Sequence, residues 1–316
     1  MALIFVFLDG VGLAPAGPDN PLALADMPVL RALLGGPLTI EQAETNRRQP
    51  SCAPAAFGAA ERPQQRLLTP IDATLGVAGL PQSGTGHTAL LAGVNAAALH
   101  GRHQPHFPPV ALRPLLAERS IFRRAIMRGQ RATFANAFGP GYWQALAARR
   151  IRKSASVIAA EGAGLRFRTG DDLRAGQAVA WDVTNAAMRA GEPGADTPLV
   201  APAQAGANLA GLAHHHDLVF YESFLPDLAG HGRLPAGVPA VLALLDAMIG
   251  GVLGALRASD TLLITSDHGN IESIAAPTHT RNPVPLLVVG PAAPAFTAAG
   301  SIADLADIID VVVGGA

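Results

Sequence analysis

The chain has 316 residues, of which 49% are hydrophobic and 15% are charged, and its formal net charge at pH 7 is −1. This composition excludes a disordered chain, and a charge near zero provides no long-range attraction for nucleic acid or for an anionic membrane surface. The single cysteine, Cys52, excludes an intramolecular disulfide bond and a cluster of thiolate metal ligands, so we interpret it as an incidental thiol. A chain of this length is predicted to form about two domains.

The first half of the chain begins with a predicted strand. Residues 3–8 are apolar and run directly into Asp9, without the basic start of a signal peptide. We therefore expect a cytoplasmic protein. A helix over residues 27–34, a polar irregular stretch over residues 41–66, and a strand with its turn over residues 67–75 are predicted next.

A candidate nucleophile follows these elements. The sequence GLPQSGTGH over residues 79–87 leads into a predicted helix at 88–94 and places Ser83 at the start of that helix. A helix N-terminus offers free N–H groups and the positive end of the helix dipole to a phosphate. Metal coordination would turn the serine hydroxyl into an effective nucleophile. The alternative is that Ser83 or Thr85 only caps the helix.

The amino-acid composition changes between residues 96 and 205, where arginine and histidine are more frequent. This segment, 96–205, carries its own predicted strand at 131–138 and helix at 142–150. We interpret it as an inserted α+β cap domain, with a metal-binding catalytic core formed by residues 1–95 and 206–316.

Two arginines of this segment, Arg102 and Arg113, are candidates for binding a substrate phosphate. A solvated position on the surface is the alternative for each of them. The adjacent acids Asp171 and Asp172 are interpreted as loop or helix-cap residues.

The last third of the chain alternates strands and helices. Strands are predicted at residues 217–221, 262–266 and 285–289, with a long helix at 238–256. The apolar positions of this helix form one stripe: Val241, Leu245, Met248, Val252 and Leu256. Such a stripe is typical of a helix that faces a core rather than one that spans a membrane. The pattern predicts an α/β fold, with a parallel-sheet core sandwiched by helices and the smaller cap inserted into it.

Acids and histidines follow the ends of the predicted strands: Asp9, Asp227, His231, Asp267, His268 and His279. In an open parallel sheet, ligands bind at the carboxyl ends of the strands, so we expect these side chains to converge. Three aspartates and three histidines without a thiolate suit one or two divalent ions of the Mn²⁺, Zn²⁺ or Mg²⁺ type. For the Asp267-His268 pair alone, an ordinary surface loop is the alternative.

These residues together resemble the alkaline phosphatase superfamily, and within it the cofactor-independent phosphoglycerate mutases and phosphopentomutases. The resemblance is carried by these motifs: Leu8-Asp9-Gly10, Ser83-x-x-Gly86-His87, Asp227-x-x-Gly230-His231, Ser266-Asp267-His268-Gly269-Asn270 and His279-Thr280-x-Asn282-Pro283. It covers about residues 1–95 and 211–290, in the order found along the chains of that family.

The resemblance implies two divalent metal ions, with Mn²⁺ or Zn²⁺ preferred and Mg²⁺ as the alternative. The ligands it implies for one ion are Asp227, His231 and His279, and for the other Asp9, Ser83, Asp267 and His268. It further implies that Ser83 takes up the phosphoryl group. Four residues are candidates for contacting the substrate: Thr85, His87, Arg102 and Arg113.

The function implied is a phosphomutase that acts on a small phosphorylated metabolite through a phosphoserine at Ser83, with neither nucleic acid nor membrane as a partner. Hydrolysis of a phosphate ester, phosphodiester or phosphonate at the same site is one alternative, and a non-catalytic metal-binding protein is another. Gly84 stands where the glycerate mutases carry an acidic residue, which argues against phosphoglycerate as the substrate.

Overall fold

The fold is described from a computed structural model. It describes residues 1–48, 65–191, 196–276 and 278–315. Cys52, interpreted above as an incidental thiol, lies outside the described residues.

In the part of the chain that the structure describes, six strands form one sheet. Their bounds are Leu3–Leu8 (β1), Arg66–Ile71 (β2), Ala132–Phe134 (β3), Leu218–Ser223 (β4), Thr261–Thr265 (β5) and Val284–Val289 (β6). The order across the sheet is β2-β6-β5-β1-β4-β3.

Helices surround the sheet. The α-helices in the first half of the chain are Pro21–Leu24 (α1), Pro28–Leu34 (α2), Ile40–Arg48 (α3), Ser83–Ala92 (α4), Ala96–His100 (α5), Arg113–Arg119 (α6), Ile121–Met127 (α7), Pro140–Ala147 (α8) and Ala155–Gly162 (α9). Those that follow are Gly170–Arg174 (α10), Ala186–Gly191 (α11), Pro202–Gly211 (α12), Leu225–Gly230 (α13), Gly237–Ala255 (α14) and Leu305–Gly314 (α15). Short 3₁₀ helices occur at Val110–Leu112, Leu212–His214, Ala293–Ala298 and Ile302–Asp304.

The directions of the strands determine which strand ends meet at one edge of the sheet. Strands β3, β4, β1 and β5 are mutually parallel, whereas β6 runs antiparallel to both β5 and β2. The prediction of a parallel core is therefore confirmed except at β6. The described part of the connection from β5 to β6 contains no helix, so the chain turns back at the edge where β5 ends. The amino end of β6 thus lies with the carboxyl ends of the other strands.

Both faces of the sheet are buried, which explains its continuous apolar strands. Along β1, Ile4 and Val6 pack into one apolar cluster with α12 and α14, while Phe5 and Phe7 pack into another with α4, α7 and α9. The predicted α/β fold, with helices on both faces of the sheet, is confirmed.

Helix α14 is long and apolar enough to cross a membrane by length and composition alone. In this fold the whole predicted stripe, including Val241 and Val252, is buried against the sheet and α12. Asp246 on the same face accepts the backbone N–H groups of Val29 and Leu30 at 2.9 and 2.8 Å, which caps α2. The helix therefore has the packing of a core element, as predicted.

The middle segment departs from the prediction. Strand β3 belongs to it, yet β3 pairs with β4 and forms the edge of the core sheet. Apolar residues of the segment, such as Leu116 and Phe122, share one cluster with Leu90 of α4. A separate cap over residues 96–205 is therefore not confirmed, because this segment completes the sheet as well as covering it.

One local prediction fails. Helix α3 occupies the first part of the stretch predicted to be irregular at 41–66, where Ala43 is a buried apolar residue on an otherwise polar helix. Helix α4 begins at Ser83, as predicted, although the glycines of SGTGH weaken the helical pattern before residue 88.

Asp172 forms a capping box with Thr169 at the start of α10 and accepts two hydrogen bonds from Arg166, at 2.9 and 2.7 Å. The hydrogen bonds from Arg166 lower the pKa of Asp172. Since the folded-state pKa is below the unfolded one, the stabilisation is present above about pH 4 and is lost as the pH falls. We expect Asp172→Asn to lower the free energy of unfolding by about 1 kcal/mol at pH 7. Urea denaturation at pH 7 and pH 3 checks this, and an equal loss at both pH values would contradict it.

Candidate metal centre and nucleophile

The sheet edge defined by the carboxyl ends of β1, β4 and β5 collects the predicted residues. Asp9 follows β1, Asp227 lies in α13 after β4, and Asp267 follows β5. His279 precedes β6, whose reversed direction brings it to the same edge. The side chains that the sequence predicted to converge therefore do so.

Asp227, His231 and His279 form one compact group. The Nε2 atoms of both histidines lie 3.4 Å from Oδ1 of Asp227 and 3.3 Å from each other. A tetrahedral ion with ligands at about 2.1 Å separates its ligand atoms by about 3.4 Å. This triangle therefore has the size of a divalent metal site.

Two hydrogen bonds orient the ligand atoms of this group. Nδ1 of His279 lies 2.8 Å from the carbonyl oxygen of Pro81, which leaves Nε2 directed at Asp227. Asn270 donates to Oδ1 of Asp227 at 2.7 Å. Such outer contacts fix the orientation of metal-binding side chains.

The second group is more deeply buried. Nε2 of His268 lies 3.2 Å from Oδ1 of Asp9, 3.6 Å from Oδ2 of Asp267 and 3.0 Å from Oγ of Ser83. Asp267 and His268 are fully buried, and Asp9 is 4% exposed.

Three buried carboxylate oxygens of this group accept no hydrogen bond from the described residues: Oδ1 of Asp9 and both oxygens of Asp267. Two imidazoles face them, with Nε2 of His268 3.2 Å from Oδ1 of Asp9 and Nε2 of His87 3.3 Å from Oδ2 of Asp267. Buried carboxylates with so few donors are costly, and a bound cation removes that cost. The orphaned oxygens therefore fit divalent metal ions, with Asp9, Asp267 and His268 as the residues that would hold one of them.

His268 lies between the two groups. Its ring stacks on that of His279 with centroids 3.7 Å apart, and its ligand atom lies within 4.8 Å of those of Asp227 and His279 as well as those of Asp9 and Asp267. The resemblance placed it with one ion only, whereas this geometry lets it serve either position.

The electrostatics show how tightly the charges are packed. Burial and the charge of Asp9 raise the pKa of Asp267 to about 6. Burial alone would lower the pKa of His268, but the carboxylates of Asp267 and Asp9 outweigh it and raise that pKa to about 10. pKa values that burial and neighbouring charges shift this far are typical of functional sites.

Ser83 occupies the first turn of α4. The residue before the helix is Gln82, and its side chain makes no capping hydrogen bond. The alternative in which Ser83 or Thr85 caps this helix is therefore wrong. The Ser83 hydroxyl points to His268 at 3.0 Å and is partly exposed, so it lies between the buried acids and the solvent.

Glycines near these ligands allow the close approach of neighbouring elements. A Cβ atom at Gly86 would lie 2.8 Å from Cβ of Asp267, and one at Gly10 would lie 2.8 Å from Cβ of Asp227. The space that a side chain would fill is thus taken by a predicted metal ligand in each case.

The four predicted substrate contacts are placed elsewhere. Thr85 is fully buried and its hydroxyl donates to the Gln82 carbonyl oxygen at 3.2 Å. His87 is buried behind the acids, 3.3 Å from Oδ2 of Asp267. Arg102 is exposed, and neither it nor Arg113 lines the cavity beside the site. The structure does not bring these four residues to an open substrate position.

Glu272 is a site residue that the sequence did not reveal. It is fully buried and accepts the backbone N–H groups of Gly12 at 2.9 Å and Asn270 at 2.8 Å. It also accepts from the side chains of Asn282 and Thr280. This carboxylate therefore joins the loops that follow β1 and β5 to the segment before β6.

We expect Glu272→Ala to lower the free energy of unfolding by about 3 kcal/mol, because the buried donors of Gly12, Asn270 and Asn282 lose their acceptor. Urea denaturation measures the change. The matched control is Glu44→Ala at an exposed position, where a change within about 0.5 kcal/mol is expected. Equal effects of the two substitutions would contradict the bridging role of Glu272.

Comparison with known proteins adds a family context. Residues 202–313 match the family model of the Metalloenzyme superfamily. A 2,3-bisphosphoglycerate-independent phosphoglycerate mutase of Rhodopseudomonas palustris is 41% identical over 100 residues, which cover 29% of this chain and 19% of that protein. A phosphopentomutase of Limosilactobacillus reuteri is 44% identical over 62 residues, covering 20% of this chain and 16% of the relative. The matches thus span about a fifth of the length of the curated relatives.

Two solved structures share the fold over nearly the whole chain. An alkaline phosphatase from the Antarctic bacterium TAB5 superposes with a TM-score of 0.52 at 12% identity, covering 99% of this chain and 98% of that one. A cold-active alkaline phosphatase from Shewanella sp. gives a TM-score of 0.50 at 12% identity, with coverage of 99% and 100%. The chain therefore has the alkaline phosphatase-like fold.

Proposed function

Because residues 202–313 match the family model of the Metalloenzyme superfamily and the chain has an alkaline phosphatase-like fold, we propose that this chain is a metal-dependent phosphotransfer enzyme of the phosphomutase type. The observation that carries the proposal is the Ser83 hydroxyl at the N-terminus of α4, beside two groups of orphaned or closely packed ligands. The substrate is a small phosphorylated metabolite. The sequence relatives are named as a phosphoglycerate mutase and a phosphopentomutase, which supports a transfer within a phosphorylated metabolite.

Two divalent ions complete the proposed site. Asp227, His231 and His279 would hold one ion, and Asp9, Ser83 and Asp267 the other, with His268 between them. When bound, such ions supply positive charge to the phosphoryl oxygens and lower the pKa of the serine hydroxyl.

The residues of the chain supply the nucleophile and orient the phosphoryl group. Oγ of Ser83 forms a bond to phosphorus as the bond from phosphorus to the ester oxygen of the substrate breaks. The Thr85 N–H is bonded to the Gln104 carbonyl oxygen at 3.3 Å, so the N–H groups of Ser83 and Gly84 are the ones at the start of α4 that would donate to the phosphoryl oxygens. A second hydroxyl of the same substrate then takes the phosphoryl group from Ser83, which restores the serine.

Hydrolysis is the second candidate, with water as the acceptor of the phosphoryl group from Ser83. The observation that favours it is that β3 is bonded into the core sheet, so this part of the middle segment is fixed rather than free to close over a substrate. A site that excludes water favours transfer to the substrate, whereas an open one favours hydrolysis.

A substrate screen tests the proposal and separates its two forms. Phosphorylated sugars, glycerates, other phosphate esters and phosphonates are incubated with the protein and Mn²⁺ or Zn²⁺, and isomerised product is scored separately from free phosphate. Isomerised product supports the mutase, and free phosphate supports the hydrolase. Turnover of no substrate, together with no divalent ion in protein purified without chelators, would leave a non-catalytic protein.

A further inference from the structure

A cavity of about 730 Å³ is lined in part by Glu222 of β4 and by Leu228 of α13, the residue that follows Asp227. Its wall includes Phe107, whose carbonyl oxygen packs so closely on Gly84 that a side chain at that position would clash with it. Phe224, on another wall, stacks on His87 with ring centroids 6.3 Å apart. The cavity therefore lies beside the candidate site. Its wall contacts Gly84 and His87 through Phe107 and Phe224, while Ser83 and the predicted metal ligands are not among the residues that line it.

Five aromatic side chains line the cavity: Phe107, Phe138, Tyr142, Trp181 and Phe224. The Phe138 and Tyr142 rings lie 4.8 Å apart, and the Trp181 and Phe224 rings 6.5 Å apart. The Arg152 guanidinium lies over the Phe107 ring, 5.9 Å from its centroid, so its cation is already engaged with an aromatic face. Such rings are suited to contact a flat apolar group rather than a short polar acid.

One end of the cavity is polar. Glu222 lines it, is 2% exposed, and accepts a hydrogen bond from Ser156. The Asn136 side chain holds the Glu222 backbone by accepting from its N–H at 2.9 Å and donating to its carbonyl oxygen at 2.8 Å. Burial raises the pKa of Glu222 to about 7, so this end can accept or donate a hydrogen bond near neutral pH.

We propose that this cavity binds the organic part of the substrate, and that this part is a flat, largely apolar ring carrying a polar substituent directed at Glu222. The inference rests on the phosphotransfer function proposed above and names its substrate class as aryl or similarly flat phosphate esters. A short hydroxy acid phosphate would leave the aromatic walls without a partner. The packing of Phe107 against Gly84 also removes the space in which the glycerate mutases carry an acidic side chain.

Two stable phosphonates test the inference by isothermal titration calorimetry on the Mn²⁺-loaded full chain. Phenylphosphonate and methylphosphonate present the same anion but differ in the ring. We expect phenylphosphonate to bind about tenfold more tightly, because the ring buries apolar area in the cavity. We expect Trp181→Ala and Tyr142→Ala, both at half-buried positions, to reduce this preference to about twofold without weakening methylphosphonate. The control is Leu99→Ala, which lies outside the cavity, is 59% exposed, and should keep the full preference.

The outcomes separate this inference from the function on which it rests. Equal binding of the two phosphonates, or a preference that survives both cavity substitutions, overturns the cavity assignment while the anion site stands. Binding of neither phosphonate by the Mn²⁺-loaded wild-type chain overturns the phosphotransfer proposal itself. Methylphosphonate binding by the variants shows that they are folded, so loss of the preference alone supports the inference.

Discussion

Replacing Ser83 by alanine is expected to lower phosphoryl transfer by about 10⁴-fold or more, because the bond to phosphorus then has no serine oxygen to form it. The Ser83 hydroxyl lies 3.0 Å from Nε2 of His268 at the start of α4. Thr85, the other hydroxyl in this turn, is fully buried and donates to the Gln82 carbonyl oxygen, so it cannot take over without rearrangement.

The measurement is a rapid acid quench with a substrate labelled in the phosphoryl group, followed by mass spectrometry of the Ser83 peptide. We expect a phosphorylated peptide in the wild-type protein and none in Ser83→Ala, with metal content little reduced because aspartates and histidines remain. Thr85→Val is the matched control and should retain the phosphopeptide. Full activity of Ser83→Ala would show that the nucleophile is assigned wrongly, and loss in both variants would point to a disturbed helix.

Much of the candidate site could be predicted because it lies where strands end. Strands β1 and β5 are short apolar runs, and each stops abruptly at an aspartate, Asp9 or Asp267. A buried strand that delivers a carboxylate to a sheet edge is a strong local signal, since an unpaired buried charge is so costly. The positions of the candidate metal ligands could therefore be predicted from local sequence, whereas the distances between them required the fold.

Other features depend on contacts that no local pattern records. Glu222 lies 66 residues from its partner Ser156, and Glu272 lies 260 residues from Gly12, whose N–H it accepts. In the sequence, nothing distinguishes Glu222 or Glu272 from any other single acidic residue. The direction of β6 was unpredictable for a related reason, because a strand buried on both faces shows the same apolar run in either direction.

The middle segment shows how composition can mislead. Its denser arginines suggested a separate domain, but several of these residues lie on the exposed faces of short helices, such as Arg119 on α6 and Arg174 on α10. The apolar residues between them join the main core, and β3 joins the main sheet. The higher arginine content of the middle segment is therefore a property of its surface and does not mark a boundary in the hydrophobic core.

Asp267→Asn is expected to affect the metal-loaded and metal-free protein in opposite directions. In the loaded protein the substitution removes a charged ligand oxygen, and we expect the affinity for one divalent ion to fall by about 100-fold or more. In the metal-free protein both oxygens of Asp267 are buried without a hydrogen bond, and burial raises the pKa of this carboxyl to about 6. Because the folded-state pKa lies above the unfolded value, the wild-type protein loses stability as the pH rises through this range, and the uncharged amide does not.

Metal analysis by mass spectrometry after dialysis, and urea denaturation with and without EDTA, measure the two effects. At pH 8 we expect metal-free Asp267→Asn to be more stable than the metal-free wild-type protein, whereas with saturating Mn²⁺ the order reverses. At pH 4 the difference between the metal-free proteins should nearly vanish, because the wild-type carboxyl is then protonated. Asp19→Asn, at an exposed position, is the matched control and should change neither quantity. A purely structural aspartate would be destabilised by the same substitution with or without metal, so a reversal of order on adding Mn²⁺ distinguishes a ligand from a buried packing residue.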